Sequence, residues 1–166
     1  TFTDLFGNQW RDDFKMTVAA TAANLEFEAI SALYDTPYNS ILSGNNNSVL
    51  SAGETAGLSV AIKNTGTSST QDVLIDLSTT DTYISAVNWF SASYRTINSI
   101  AAGTKEDNND NVSGSSQYLS RRRGEYYVFA APNAPIGHKA TVNLRMTDKY
   151  GNVWTDVFTV EIGRDI

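Results

Sequence analysis

The chain has 166 residues, of which 41% are hydrophobic and only 18% are charged. This balance predicts one globular domain rather than a disordered tail. The net charge is −6, so we expect no nucleic-acid partner, because an acidic chain is repelled by a phosphate backbone. Since no apolar run is long enough to span a bilayer and the opening residues lack a signal-peptide pattern, we expect no membrane insertion of this segment.

Residue usage also bears on the compartment. Cysteine is absent, which excludes disulfides, thiolate metal sites and cysteine nucleophiles. Thr, Ser and Asn together make up 50 of the 166 residues, whereas Lys contributes five. Such a composition favours strands, turns and a neutral hydrated surface over charged helices. It is typical of bacterial modules outside the cell, so we predict an extracellular or cell-surface location.

Residues 1–19 repeat the end of the chain. TFTDLFGNQWRDDFKMTV aligns without a gap on RMTDKYGNVWTDVFTVEI at an offset of 144 residues, with seven identical pairs that include a Trp and a Gly-Asn turn. The run after the turn alternates as a strand does. One face of that strand is the predicted assembly site, formed by Trp10, Asp12, Phe14, Met16 and Val18.

An isolated two-stranded hairpin is marginally stable in water, so residues 1–19 need a sheet to join. Three arrangements satisfy this need. The segment closes a preceding domain of a tandem array, it donates a strand to a neighbouring copy, or both hairpins pack within one enlarged sandwich. The first two predict neighbouring immunoglobulin-like domains or identical subunits as partners.

Residues 20–166 are dominated by alternation with period two. NLEFEAISAL predicts a first strand from Leu25, and GLSVAIKN places Leu58, Val60 and Ile62 on one face of a half-buried strand. DVLIDLS, YYVFAA and ATVNLRMT alternate likewise, and turn-rich runs separate them. We therefore predict an all-β, immunoglobulin-like antiparallel sandwich of about seven to nine strands, with an extra N-terminal strand or hairpin.

Two stretches, 35–49 and 103–124, lack periodicity and predict long, exposed polar loops. The second carries a candidate calcium site with alternating oxygen side chains, made of Asp107, Asn109, Asp110 and Asn111. The glycine and the distal Glu of an EF-hand loop are missing, so the alternative is a solvated Asn-rich loop. We expect no other cofactor.

The first loop holds a poorer calcium candidate, formed by Asn45 and Asn47 with Glu54. The alternative for Glu54 is that its carboxylate accepts backbone N–H bonds where the next strand begins. Two sequons make Asn46 and Asn111 candidate glycosylation sites, although both also suit ordinary turns.

Three further groups have a functional and a structural interpretation. His138 is the single histidine and is expected as an exposed turn residue, because no nucleophile motif accompanies it. The cluster 121–123 is either a processing or anionic-ligand site or a solvated loop tip. Trp89 and Phe90, beside Tyr83 and Tyr94, either stack on a carbohydrate or host-surface ligand or complete the core or an interface between domains.

The middle of the chain resembles a known family. The runs GNNNSVLSAGETAGLSVAIKNTG, INSIAAGT and APNAPIGH carry a "GE" before the second strand, an "NTG" turn after it, an "I-x-AG" step and a "P-x-G" turn before the last hairpin. This pattern is similar to the CARDB-like and NEW3-like immunoglobulin-fold domains of bacterial secreted or surface proteins. The resemblance covers about residues 24–163, and it implies a location outside the cell and no catalysis by the module itself.

The sequence therefore predicts a non-catalytic structural or adhesive module of a bacterial surface protein or filament, joined in series with similar units. The alternative is an accessory domain that orients or holds the substrate of a secreted peptidase or glycosidase. Further copies at the same spacing would favour the first hypothesis, and an adjoining catalytic domain would favour the second.

Overall fold

The structure is a computed structural model that describes residues 2–11, 21–35, 42–88, 92–107 and 126–164. These residues form eleven strands and one short 3-10 turn, Ala92–Arg95. The strands are β1 Phe2–Thr3, β2 Gln9–Trp10, β3 Leu25–Tyr34, β4 Thr55–Asn64, β5 Thr70–Ser78, β6 Ile84–Val87, β7 Thr96–Ile100, β8 Lys105–Asp107, β9 Tyr126–Ala130, β10 Lys139–Thr147 and β11 Val153–Glu161. In these ranges no helix is long and apolar enough to cross a bilayer.

The strands β3–β11 build two antiparallel sheets. One has the order β11-β10-β5-β7, and the other has the order β3-β4-β9-β6, with β8 beside the second half of β4. A single apolar cluster contains side chains of both sheets, and the Tyr126 hydroxyl donates a hydrogen bond across it to the Ile75 carbonyl at 3.1 Å. The predicted all-β sandwich is confirmed. The immunoglobulin-like order of its strands stays a prediction.

Burial of β4 differs from the half-buried strand that its sequence predicts. Leu58, Val60 and Ile62 face the core as expected, but Ser59 and Ala61 on the other face are also buried. The reason is position, because β4 is an inner strand with β3 on one side and β8 and β9 on the other. The outward side chains of β4 are small, and longer side chains on the flanking strands can shield them from solvent.

Strand β3 begins at Leu25 as predicted and runs to Tyr34. Its pairing with β4 shifts register twice, between Phe27 and Ala29 and again between Ile30 and Ala32. Each shift is a bulge or another irregularity of the ladder, and such a shift disrupts the alternation of side chains between the two faces. Simple alternation therefore breaks down in the second half of this strand.

The chain enters the sandwich at one end and leaves at the opposite end. We call the end with residues 21–24, the β4–β5 loop and the β10–β11 turn the entrance pole. We call the end with the β9–β10 loop and residues 162–164 the exit pole. At the entrance pole Thr65 N–H donates to the Asn24 carbonyl, and at the exit pole Gly163 N–H donates to the Leu50 carbonyl, at 2.8 and 2.9 Å.

Candidate assembly site

The opening residues form a β-hairpin, as the repeat predicts. Its two strands pair with each other in a separate two-stranded sheet, with Phe2 opposite Trp10 and Thr3 opposite Gln9. Because the hairpin ladder is only two residue pairs long, the hairpin gains little from its own backbone bonds.

The β10–β11 hairpin has the same register. Met146 lies opposite Trp154 and Thr147 opposite Val153, and subtracting 144 from each number reproduces the pairs of the first hairpin. The sequence repeat is therefore a repeat of backbone structure.

The two turns also share their hydrogen bonds. Asp4 Oδ1 accepts the N–H groups of Phe6 and Asn8, both at 2.9 Å, and the Asn8 amide donates to Asp4 Oδ2 at 2.8 Å. A glycine with positive φ follows in each turn, at 83° for Gly7 and 84° for Gly151, where a side chain would be strained.

In the second turn Asp148 occupies the position equivalent to Asp4. Asp148 Oδ1 accepts the N–H groups of Tyr150 and Asn152, both at 2.9 Å, and the Asn152 amide donates to Oδ2 at 2.9 Å. Asp148 also accepts the buried Thr70 hydroxyl at 2.9 Å, which ties this turn to strand β5. The first turn makes the same bonds within itself, but among its described contacts no hydrogen bond joins Asp4 to a strand of the sandwich.

Burial separates the two copies. Met146 is 0% exposed, whereas its counterpart Phe2 is 71% exposed. Trp154 packs against the core, whereas Trp10 is 54% exposed. The same face is therefore covered by a sheet in the second copy and open to solvent in the first. We call the face that carries Phe2 and Trp10 the inner face of the first hairpin.

Strand β11 shows what the inner face meets when it is covered. The Phe158 ring stacks on Phe27 of β3 at 4.8 Å between centroids, and Asp156 Oδ2 accepts the Phe27 N–H at 2.8 Å. These two contacts join the edges of the two sheets. By sequence Asp12 and Phe14 match Asp156 and Phe158.

Of the predicted assembly residues, the structure describes Trp10. The others, Asp12, Phe14, Met16 and Val18, lie outside the described residues. Leu5 and Phe6 at the turn are 102% and 90% exposed. Phe2 is a further residue of this face that the predicted site lacks, and its alignment with Met146 is the signal that could have identified it.

Both turn aspartates are held in the ionised form. The side chain of Asn8 and the turn N–H groups keep the pKa of Asp4 below its usual value. Burial alone would raise the pKa of Asp148, but the bonds from Asn152, Thr70 and Tyr150 outweigh it, so this pKa is also lowered.

The calcium candidate is only partly described. Asp107 lies in β8, opposite Ala61 of β4, so residues 105–107 of the predicted loop 103–124 form a paired strand instead. Asn109, Asp110 and Asn111 lie outside the described residues. Within the ranges that the structure covers, no three acidic, His or Cys side chains come close enough to hold a metal. The calcium site stays a prediction.

In the Asn-rich loop, an aspartate holds backbone N–H groups, and the poorer calcium candidate of this loop stays a prediction. Asp35 is 1% exposed, and its carboxylate accepts the N–H groups of Asn47 and Ser48 at 2.9 and 3.0 Å. Asn46 directly precedes Asn47 in the chain and is exposed, with a φ of 66°. Its glycosylation stays a prediction.

Glu54 acts as its structural interpretation predicted. Its Oε2 accepts the Ser51 N–H at 2.8 Å, directly before β4. A carboxylate used in this way fixes the entry into the strand.

His138 is not the exposed turn residue that the sequence predicted. Its side chain is 24% exposed, and Nε2 lies 2.9 Å from Asp81 Oδ2. The Tyr83 ring meets the imidazole edge to face. Burial alone would raise the pKa of Asp81, but the N–H of Tyr83 and the contact with His138 outweigh it and lower this pKa. The pair fastens the β5–β6 loop to the β9–β10 loop.

The remaining candidates give a mixed picture. Tyr83 also packs against the core, which supports the structural interpretation for that ring. Trp89, Phe90, the cluster 121–123 and the side chain of Tyr94 lie outside the described part of the chain.

One structural residue was missed. Asn64 is 0% exposed, and its amide donates to the carbonyls of Ser68 and Ile100 at 2.8 and 3.2 Å. Its Oδ1 accepts the N–H groups of Asn24 and Gly66 at 3.1 and 3.0 Å. Asn64 therefore fastens the entry segment to two loops. The sequence feature that could have identified Asn64 is the "NTG" turn, of which it is the first residue.

Comparison with known proteins adds little. No protein-family model matches the chain, and no characterised protein matches it. Among solved structures, Spo0M, a sporulation control protein from Bacillus subtilis, is similar over 89% of this chain and 51% of its own length, at 14% identity and a TM-score of 0.33. The chain thus spans about half of Spo0M, and so low a score carries no argument. The protein is classed by its own structure, as an all-β sandwich with a duplicated hairpin.

Proposed function

We propose that this chain is a non-catalytic structural or adhesive unit of a bacterial extracellular surface protein or filament, joined in series with similar units. The hairpin at residues 2–11 is the joining element. Its inner face belongs in a neighbouring sandwich, in the place that β10 and β11 occupy here.

The observation that carries the proposal is the burial contrast between the two hairpins. Register, turn bonds and glycine conformation are shared, yet Phe2 and Trp10 remain in solvent. Exposing two such rings forfeits about 1.5–3 kcal/mol for each, relative to burial. A sandwich of the same build offers the complementary surface, because the homologous face already fits one.

The directions of entry and exit support a serial arrangement. Residues 21–24 are attached at one pole and residues 162–163 at the other. Units linked through these segments follow one another along the strand axis, and such an arrangement suits a stalk or filament. Tandem repetition and strand donation are the two routes to it.

The test is a two-unit chain in which residues 23–144 stand directly ahead of Thr1. The 144-residue offset puts residues 1–18 where a complete unit has residues 145–162. If the first hairpin completes the front sandwich, calorimetry gives a second folded unit, with about 100 kcal/mol of additional unfolding enthalpy from about 0.7 kcal/mol per residue near 60 °C.

The hairpin variants make the test specific. Replacing Phe2 and Trp10 together by Ser removes the inner face, so the front unit should lose its transition while the rear unit keeps its own. Leu5→Ser is the matched control, because Leu5 is fully exposed and its counterpart is Lys149. A front unit that stays unfolded with the natural hairpin, or folds equally well with both Ser substitutions, would contradict the proposal.

The sequence of the intact protein distinguishes a stalk from an accessory domain of a secreted hydrolase. Further units at a spacing of 144 residues in the intact protein support the stalk. An adjoining peptidase or glycosidase domain without such units overturns it.

A further inference from the structure

The two hairpins are most alike where they face a sandwich. Asp4, Asn8 and Trp10 are identical to their counterparts 144 positions further on. The counterpart of Asp4 accepts the buried Thr70 hydroxyl of β5 at 2.9 Å, and Asp4 could accept an equivalent hydroxyl in the same way. The first hairpin therefore suits a sandwich with the same frame as this one.

The turns differ in two adjacent side chains. Leu5 and Phe6 stand where the second hairpin has Lys149 and Tyr150, and we call these two positions the tip of each hairpin. Leu5 and Phe6 are the most exposed large hydrophobic side chains among the described residues. Together with the inner face they make the first hairpin an exposed apolar surface, which marks an interaction site.

The second tip shows which residue a docked tip meets. The Lys149 N–H donates to the Gln71 carbonyl at 3.2 Å, and the Lys149 ammonium donates to the Gln71 side-chain oxygen. The same ammonium lies 5.1 Å from the centroid of the Tyr150 ring. Gln71, the second residue of β5, is therefore the neighbour of the tip, and the contact is polar.

The first tip does not fit the same neighbour. A leucine at this position keeps the backbone N–H but has no ammonium to donate to a glutamine. Its side chain gains most from an apolar side chain on the adjacent strand, because such cross-strand pairs stabilise sheets. The two tips thus call for different residues at the position of Gln71.

We propose that the first hairpin is matched to a neighbouring sandwich that is homologous to this one but not identical, with an apolar residue in place of Gln71. The inference rests on the proposed function and names the chemistry of the partner. The bond to the Thr70 hydroxyl sets the register in either sandwich, and the tip selects between them. Lys149 favours the sandwich of its own chain, whereas Leu5 favours the neighbour, so the two hairpins do not compete for one place.

The experiment uses the two-unit chain described above, with Gln71→Leu in the front unit. Hydrogen exchange at the amides of residues 7–10 reports the opening of the front unit alone. An apolar pair between Leu5 and the new leucine should slow this exchange about two- to fivefold. Leu5→Lys with the natural Gln71 should also slow it, because that change restores the contact seen at Lys149.

Two controls make the result specific. Gln71→Leu in the rear unit, where residue 71 faces Lys149, should leave the exchange of residues 7–10 unchanged, and calorimetry of this variant shows whether a leucine is tolerated there. Combining Leu5→Ser with Gln71→Leu in the front unit should abolish the gain, which completes a double-mutant cycle.

The outcomes separate this inference from the proposed function. Exchange that Gln71→Leu in the front unit does not slow, or slows equally when residue 5 is Ser, would overturn the match between the tip and an apolar neighbour while leaving the serial arrangement standing. A front unit without a melting transition in every variant counts against the proposed function itself.

Discussion

The chain allows the stability contribution of a buried turn to be compared with that of an exposed one, because Asp4 and Asp148 make the same turn bonds in two environments. Replacing Asp148 by Ala removes four hydrogen bonds, three within the turn and one from the buried Thr70 hydroxyl. Leaving Thr70 without this bond costs about 1–3 kcal/mol. The three turn donors can partly turn to water and lose about 0.5–1 kcal/mol each.

The expected loss is therefore about 3–5 kcal/mol of the free energy of unfolding, a large part of the 5–15 kcal/mol typical of a domain. For a domain of this size, each kcal/mol shifts the melting temperature by about 2–4 °C. Asp148→Ala should accordingly lower the melting temperature by about 10 °C. Asp4→Ala should leave it unchanged, because the described strands of the first hairpin pair with neither sheet of this sandwich.

Thermal and urea unfolding followed by circular dichroism compare the two variants with the natural chain. Equal shifts for Asp4→Ala and Asp148→Ala would refute the assignment of the first hairpin to another sandwich. A shift below about 3 °C for Asp148→Ala would refute the role given to the Thr70 bond.

Three further predictions follow from individual contacts. The pKa values of Asp148 and Asp81 are lowered in the folded protein. These two carboxylates therefore stabilise the fold above the unfolded pKa of about 3.9, and this stabilisation is lost as the pH falls through the still lower folded pKa. Melting temperatures measured from pH 5 down to pH 2 should fall, and they should fall less steeply in Asp148→Asn than in the natural chain. Asn64→Ala leaves buried backbone groups without partners and should cost about 3 kcal/mol or more, which urea unfolding measures; a loss under about 1 kcal/mol would contradict its role at the entry segment. Scanning calorimetry with calcium and with a chelator tests the candidate calcium site, since a higher melting temperature with calcium would assign an ion to residues 107–111 and identical curves would remove the ion from the account.

The sequence was sufficient for the elements whose environment is simple. Strand β10 alternates strictly between buried and exposed residues, as a strand with one covered face must, and the Gly-Asn turns were predicted with their correct residues. The repeat at 144 residues predicted a second hairpin of the same kind. Local pattern decides these features, so a single sequence reveals them.

Long-range contacts set the rest. That β4 is buried on both faces depends on which strands flank it, and no periodicity within GLSVAIKN indicates that. His138 is partly buried because Asp81, 57 positions away in the chain, lies beside it. For the assembly site, the repeat indicated that residues 1–19 need a partner sheet, whereas the exposure of Phe2 and Trp10 required coordinates.

Hydrogen exchange at the amides of residues 2–10 tests the central claim most directly. In the single chain these amides should exchange quickly, because the hairpin ladder has two residue pairs and its described strands pair with neither sheet of the sandwich. In the two-unit chain they should exchange more than about a thousandfold more slowly, since a sandwich stable by about 5 kcal/mol would have to open first. Equal, rapid exchange in both chains would contradict the claim that this hairpin completes a neighbouring sandwich.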